Sequence, residues 1–261
     1  MKSNNHWEAK PVDMDLCNAC RRGDMKGVIE ALEKGANPNC HINNALGETI
    51  PIFLCASKGY QDIASLLISK GVQLNLAQGF DGSTPLHHAC LANQIEMVTF
   101  LISHGCDVNK GNKLERTPLM EAASVGSVEL VTLLYEKGAN INTFDQQMKT
   151  ALRHPFVFSP NINLKKKNKW YNTAKKLVEL GADVNVSGSY ANGVTILHCA
   201  AAQGDIEFVK LLVEKKQADT NSEDEVGRTP LDYAISRQEE NVITYLQSAV
   251  VIPTQCCCSI L

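Results

Sequence analysis

The residues of this chain that could do chemistry are cysteines, histidines and one run of lysines. The last six are Cys256-Cys257-Cys258-Ser259-Ile260-Leu261. Their final four fit the C-a-a-X pattern: Cys258 is the thiol a prenyltransferase would alkylate, Ile260 is aliphatic at the second a position, and a final leucine favours geranylgeranyl over farnesyl. One prenyl chain anchors only reversibly, so a second signal is expected, and Cys256 and Cys257 supply it as palmitoylation sites. The competing account of this run is a metal-binding or merely reactive thiol cluster. Elsewhere, Cys17 and Cys20 form a CxxC, a spacing used in zinc and redox sites, yet a second ligand pair at suitable spacing is missing. His87 and His88 lie near Cys90, but adjacent helical residues point apart, which does not suit a shared metal. No metal and no cofactor is expected. Lys165, Lys166, Lys167 and Lys169 stand beside Trp170. Three accounts remain open for them: a solvated helix face, contact with anionic lipid or an acidic partner, and a nuclear-import signal.

The elements that hold these groups follow one template, DGSTPLHHACLANQIEMVTFLISHGCDVN, from Asp81 to Asn109. Thr84 is placed to cap a helix, and Pro85 suits the first helical position, where a missing N–H costs nothing. Leu86, Ala89 and Cys90 give that helix a small-residue face. After a break near Asn93, Met97, Val98, Leu101 and Ile102 recur at helical spacing as a second stripe. Gly105 then fits a left-handed C-cap. One copy reads as helix, turn, helix, loop.

The position of Pro85 recurs at Pro51, Pro118, Ala151, Ile196 and Pro230, at intervals of 34, 33, 33, 45 and 34 residues. GSTPLHHA, RTPLMEAA, VTILHCAA and GRTPLDYA stand in phase with it. On this period of about 33 and its T-P-L-H-x-A core the chain resembles the ankyrin-repeat family over residues 13–247. The resemblance implies an all-α solenoid of about seven helix-turn-helix repeats, with terminal repeats acting as caps. Residues 1–12 read as a lead-in and residues 248–261 as a flexible tail carrying the C-a-a-X box. In this frame Cys17 and Cys20 fall where His87 and Cys90 fall, which explains the CxxC structurally, and His87 is expected to hydrogen-bond neighbouring loop backbone.

Three departures from the template are expected to have consequences. Repeat two carries an extra residue between Thr49 and Pro51, which should loosen its cap without losing the helix. Repeat five gains about ten residues, and Pro155 and Pro160 cannot sit inside a continuing helix, so its first helix must be short or distorted. Its second helix can start early, near Asn163, because Leu164, Tyr171, Ala174 and Leu177 share a stripe. In repeat six an added lysine leaves Gln217 where the C-cap glycine belongs.

Composition narrows the function. The 261 residues are 44% hydrophobic but only 6% aromatic, as fits close stacking on Ala, Leu and Val, and a net charge of −3 with interspersed signs gives no reason to bind nucleic acid. No apolar run is long enough to span a bilayer, and the N-terminal residues lack the apolar segment of a signal peptide. A cytosolic chain without disulfides is expected. Stacked repeats align loop tips and first helices into a concave groove, where partner specificity is usually written. The candidates are Phe80, Leu114, Phe144 and Tyr190 near the tips, and His88, Glu121, Cys199 and Tyr233 on the first helices. Packing of each tip on the next is the competing account.

The sequence therefore predicts a non-enzymatic, monomeric scaffold. It would recruit a protein through its groove at a cytosol-facing membrane, plasma membrane or endomembrane. The same resemblance fits eukaryotic adaptors and proteins that intracellular bacteria deliver into host cells, where the host's prenyltransferase would act and a host membrane would be the destination. A soluble inhibitor or regulatory subunit uses the groove without a membrane. A cysteine enzyme hidden in repeat five has little to build on, since only His154 there titrates near neutral pH.

Overall fold

In the computed structural model, residues 10–44, 47–75, 77, 79–147, 149–152, 164–185 and 193–250 are described. Helix pairs follow one another along the chain. They are α1 (Pro11–Arg22) and α2 (Met25–Glu33), α3 (Pro51–Lys58) and α4 (Gln61–Ser69), α5 (Pro85–Leu91) and α6 (Ile95–Ser103), and α7 (Pro118–Ser124) and α8 (Val128–Glu136). After α9 (Leu164–Glu179) come α10 (Ile196–Gln203) with α11 (Ile206–Lys210), then α12 (Pro230–Arg237) with α13 (Glu240–Val250). First helices pack on first helices, α1 on α3, α3 on α5, α5 on α7 and α10 on α12, and second helices on second helices, α2 on α4, α6 on α8 and α8 on α9. Each pair buries its apolar face against the next pair, so the stack rather than the single repeat is the stable unit.

Close stacking rests on small residues. Ala89 and Cys90, Ala122 and Ala123, and Ala200 and Ala201 are all fully buried on successive first helices. Leu101, Leu134 and Leu177 fill the same place under successive second helices. The expected helix start at repeat three is present: Pro85 opens α5 behind Thr84, with a reciprocal capping box to His87. In repeat two, Ile50 is the N-cap and offers no side-chain cap, while the Thr49 hydroxyl accepts from Arg21 at 3.0 Å instead. The extra residue has uncoupled the threonine from its helix, and α3 forms without it.

Second helices end alike. The N–H of Cys106, Ala139 and Ala182 closes on the carbonyl five residues earlier, at 3.1, 2.9 and 3.0 Å. The intervening Gly105, Gly138 and Gly181 sit at φ 89°, 89° and 99°, left-handed values that glycine adopts without a Cβ penalty. In repeat six the added lysine is absorbed by a π-helical turn over Leu211–Lys215. The closing bond there runs from Ala218 N–H to Leu212, six residues back, at 2.9 Å. Gln217 takes the left-handed position at φ 53°.

Two short strands, β1 (Ile42–Asn44) and β2 (Gly47–Thr49), pair antiparallel with Ile42 opposite Thr49. This hairpin is the one addition to the helical expectation among the described residues. In repeat five, α9 does begin at Leu164. Aligned on the buried Leu134 and Leu177, it starts seven residues before the point where α8 starts, or about two turns. The first helix expected for repeat five would begin at Ala151, where Ala151 and Leu152 form a buried turn, and its remainder, 153–163, lies outside the described residues.

Candidate protein-binding surface

His87 ties one repeat to the next. Its Nδ1 accepts from the Thr84 N–H at 3.2 Å and lies 2.8 Å from Thr84 Oγ1, while its Nε2 lies 2.8 Å from the carbonyl oxygen of Arg116. Because Nδ1 accepts, the proton belongs on Nε2, which donates to Arg116. Burial pushes the ring pKa down to about 4, outweighing the stabilising carbonyl. His198 repeats the arrangement with Thr195 and the Arg228 carbonyl, at 3.1 and 3.0 Å. These histidines are neutral structural links between loops. Asp232 takes over the capping half of the job in the last repeat, accepting from the Thr229 N–H at 2.7 Å.

The loops those histidines hold are built by their own side chains. Asn112 Oδ1 accepts from the N–H groups of Leu114 and Arg116 at 3.0 and 3.1 Å. Asp145 and Asp224 do the same in later repeats. Backbone bonds then join tip to tip, from Lys113 N–H to Asp81 and from Gln146 N–H to Leu114, both at 2.9 Å. The two accounts of the tips therefore divide by atom type: the backbones engage one another, and the apolar side chains remain outside. Phe80 is 89% exposed, Leu114 47% and Phe144 38%. Val226, at 73%, occupies the place in the last repeat that Leu114 occupies in repeat four. Sequence reasoning missed it, although its offset of three residues before the capping threonine was readable. Tyr190 lies outside the described residues.

The first-helix candidates divide in the same way. His88 is half-buried and stacks on Phe53, ring centroids 4.4 Å apart. Tyr233 is half-buried too, its hydroxyl donating to Asp224 Oδ2 at 2.9 Å and its ring lying under the Arg228 guanidinium. Glu121 and Cys199, in contrast, are only 3% and 5% exposed, and the expectation that they face the groove is corrected. Glu121 is taken up by Arg116, whose Nη2 donates to its Oε2 at 3.0 Å. Burial raises the Glu121 pKa, and the arginine partly offsets this. Cys199 is buried instead of lying on the surface.

A further link escaped sequence reasoning. Asn75 Nδ2 donates to the Gly105 carbonyl while its Oδ1 accepts from the Asp107 N–H, both at 2.8 Å. Asn109 repeats this with Gly138 and Asn140 at 3.0 and 2.8 Å, and Asn39 and Asn185 do so at the two ends. The signal was the asparagine that closes copy after copy, four residues beyond the C-cap glycine.

Cys17 and Cys20 do not act together: Cys17 Sγ is 3.7 Å from Cys40 Sγ, whereas Cys20 faces the Cys55 thiol of the next repeat. Burial raises the Cys90 and Cys106 thiols, the latter to about 12, far from the low values that activate a nucleophile. Lys169 is exposed on α9. The side chains of Lys165, Lys166, Lys167 and Trp170, and all of Cys256, Cys257 and Cys258, lie outside the described residues. Among the described residues no helix is long and apolar enough to cross a membrane.

A family model described as "Ankyrin repeats" matches the chain in three overlapping or successive segments, residues 16–112, 52–145 and 165–254. A putative glutaminase 2 of Caenorhabditis elegans is 35% identical over 83 residues, 32% of this chain and 13% of that protein. A probable E3 ubiquitin-protein ligase of Oryza sativa is 28% identical over 202 residues, 76% of this chain and 37% of that protein. The mouse protein phosphatase 1 regulatory subunit 12A is 30% identical over 115 residues, 43% of this chain and 11% of that protein. The chain spans well under two thirds of each of these relatives, and what they share with it is the repeat region.

Proposed function

This chain belongs to the ankyrin-repeat family, a protein–protein interaction fold, and from that premise we propose that it is a lipid-anchored scaffold that recruits a protein partner to a cytosol-facing membrane. The observation that carries the anchor is the run Cys258-Ser259-Ile260-Leu261. It has the thiol, the aliphatic residue and the final leucine that geranylgeranylation requires. Cys256 and Cys257 supply the second, palmitoyl signal that one prenyl chain needs for lasting attachment. The partner would meet Phe80, Leu114, Phe144, Tyr190, His88 and Tyr233 along the groove, with exposed apolar side chains on a rigid backbone as anchors. Confinement to a membrane raises the local concentration of a partner held there, so a weak groove contact suffices. The lysines early in α9 would meet an acidic partner or anionic headgroups. In a bacterial effector the same tail would be modified by host enzymes at a host membrane.

The test is the intact mass and location of the wild type and Cys258→Ser, expressed in eukaryotic cells. The reading requires Leu261 at the end of the chain, which the mass reads directly, and predicts a geranylgeranyl increment and membrane location that both vanish in the mutant. An unmodified wild type spread through the cytosol would sink it. The second reading, a soluble regulatory subunit using the same groove, draws on the similarity to a phosphatase regulatory subunit. It predicts that Cys258→Ser changes neither location nor partner.

A further inference from the structure

The N-terminal repeat holds two thiols against each other. Cys17 Sγ on α1 and Cys40 Sγ, in the segment between α2 and β1, are 3.7 Å apart and buried. Their closeness is fixed by more than the sulfurs. One turn before Cys17 on the same face of α1, Asp13 Oδ1 accepts from the Asn37 N–H at 2.7 Å, and Cys40 Sγ also reaches the Asp13 carbonyl, at 3.9 Å. Two successive points on one helix face are thus pinned to residues 37–40 of the loop. Cys20, one turn further on, faces Cys55 of the next repeat and also lies near Cys40. Among the described residues Cys17 and Cys40 form a pair within a single repeat, the first of those described.

We propose that Cys17 and Cys40 are a modification site, an intramolecular disulfide that forms under thiol oxidation and fastens α1 to the loop leading into the β1–β2 hairpin. The oxidant class is a low-molecular-weight disulfide such as oxidised glutathione. One thiol, deprotonated, attacks it to give a mixed disulfide and one equivalent of reduced glutathione. The second thiol, losing its proton, attacks the protein sulfur of that adduct and expels a second glutathione thiolate. Both protein sulfurs are oxidised by one electron each, two hydrogens leave the protein, and the small disulfide is reduced to two thiols.

Burial of both sulfurs requires the repeat to open before the first attack. Its packing favours that opening: among the described residues it packs on one neighbour, repeat two, and a unit with fewer packed neighbours opens more readily than one held on both sides. A Cys17–Cys40 bond closes a loop that contains all of α2, so it removes this local opening while leaving repeats three to seven untouched. The site differs in chemistry from the lipidation proposed at the tail, and its fate does not depend on that proposal.

The experiment treats the full-length protein with oxidised glutathione, then maps disulfides by non-reducing proteolysis and mass spectrometry, and follows hydrogen exchange. The expected result is a Cys17–Cys40 linked peptide lighter by two hydrogens and slower exchange across residues 11–33, with repeat four unchanged, all reversed by dithiothreitol. Cys20→Ser should keep the linked peptide, and Cys40→Ser should lose it. Because the linked peptide is read in the wild type, a variant that fails to fold leaves the test intact. A wild type in which Cys17 and Cys40 carry only separate glutathione adducts, or in which Cys17 pairs with Cys20 or Cys55, overturns the proposal.

Discussion

His87 Nε2 lies 2.8 Å from the carbonyl oxygen of Arg116, a bond that crosses from one repeat to the loop of the next. Replacing His87 by leucine keeps the volume and removes its bonds to Thr84 and to the Arg116 carbonyl, which keeps the bond from the Asn112 N–H at 3.0 Å. The expected loss at pH 7 is about 1–3 kcal/mol, read from urea unfolding.

The same residue makes stability depend on pH. Histidine in an unfolded chain titrates near 6.5, and in the fold His87 is held at about 4. Between these values the unfolded chain binds a proton that the native state refuses. Stability from this group is therefore complete above about pH 6.5 and withdrawn as pH falls toward 4, by a total on the order of 3 kcal/mol. His198, also lowered by burial, acts in the same direction, while the raised Glu121 opposes it. Urea midpoints for the wild type should drop across this window, and the drop should be smaller in His87→Leu. Equal slopes would show that other groups set the acid limit.

Asn109 joins Gly138 and Asn140 of the next repeat through both ends of its amide. Asn109→Ala should cost about 1–2 kcal/mol, and Asn109→Asp, which keeps the acceptor and loses the donor, should fall between. An alanine variant as stable as the wild type would mean that solvent replaces both bonds without cost.

Repeat six carries its extra residue as a π turn and places Gln217 at φ 53°. Gln217→Gly should raise stability by about 0.5–1 kcal/mol, because a left-handed residue without a Cβ escapes the steric penalty. Deleting Lys216 in that background should restore the five-residue closure seen in the other repeats. The Tyr245 hydroxyl donates to Glu214 within the π turn at 2.9 Å. If that contact has come to depend on the turn, the deletion will lower the melting temperature instead of raising it.

Phe80 and Glu121 should respond in opposite ways. Phe80→Ala, at an 89% exposed tip, should change stability by no more than about 0.5 kcal/mol and weaken capture of the groove's partner. Glu121→Ala leaves Arg116 without its ion pair and should cost about 1–2 kcal/mol, below the range for fully buried pairs because the Arg116 side chain is 28% exposed. Thermal unfolding of the two variants, paired with partner pull-down for Phe80→Ala, separates surface from support. Matching stability losses would erase that division.

Much of the fold is legible because each signal is local. Thr84 and Pro85 start a helix, and Gly105 ends one, through contacts spanning a few residues. The period then says how often the unit recurs, and a unit too small to bury its own apolar face must stack. The role of His87 as a link was also readable, since its position is tied to the capping threonine. The candidate site was less legible. Glu121 and His88 hold the same place in successive copies, yet one is buried and the other half-open. The difference comes from Arg116 reaching Glu121 and from the Phe53 ring meeting His88, contacts with residues at different distances along the chain. The Asn109 ladder and the Cys17–Cys40 contact have the same origin, because each needs a neighbour whose distance is set by packing.

The order of caps, helices and loops and the stacked architecture were determined by the amino-acid sequence alone. Each depends on residue type and on spacing within one repeat. Tertiary structure decided which of the variable positions face outward, where an inserted lysine is absorbed, and which sulfurs meet. Those outcomes depend on how one repeat sits on the next, and stacking brings together side chains that no short-range pattern relates.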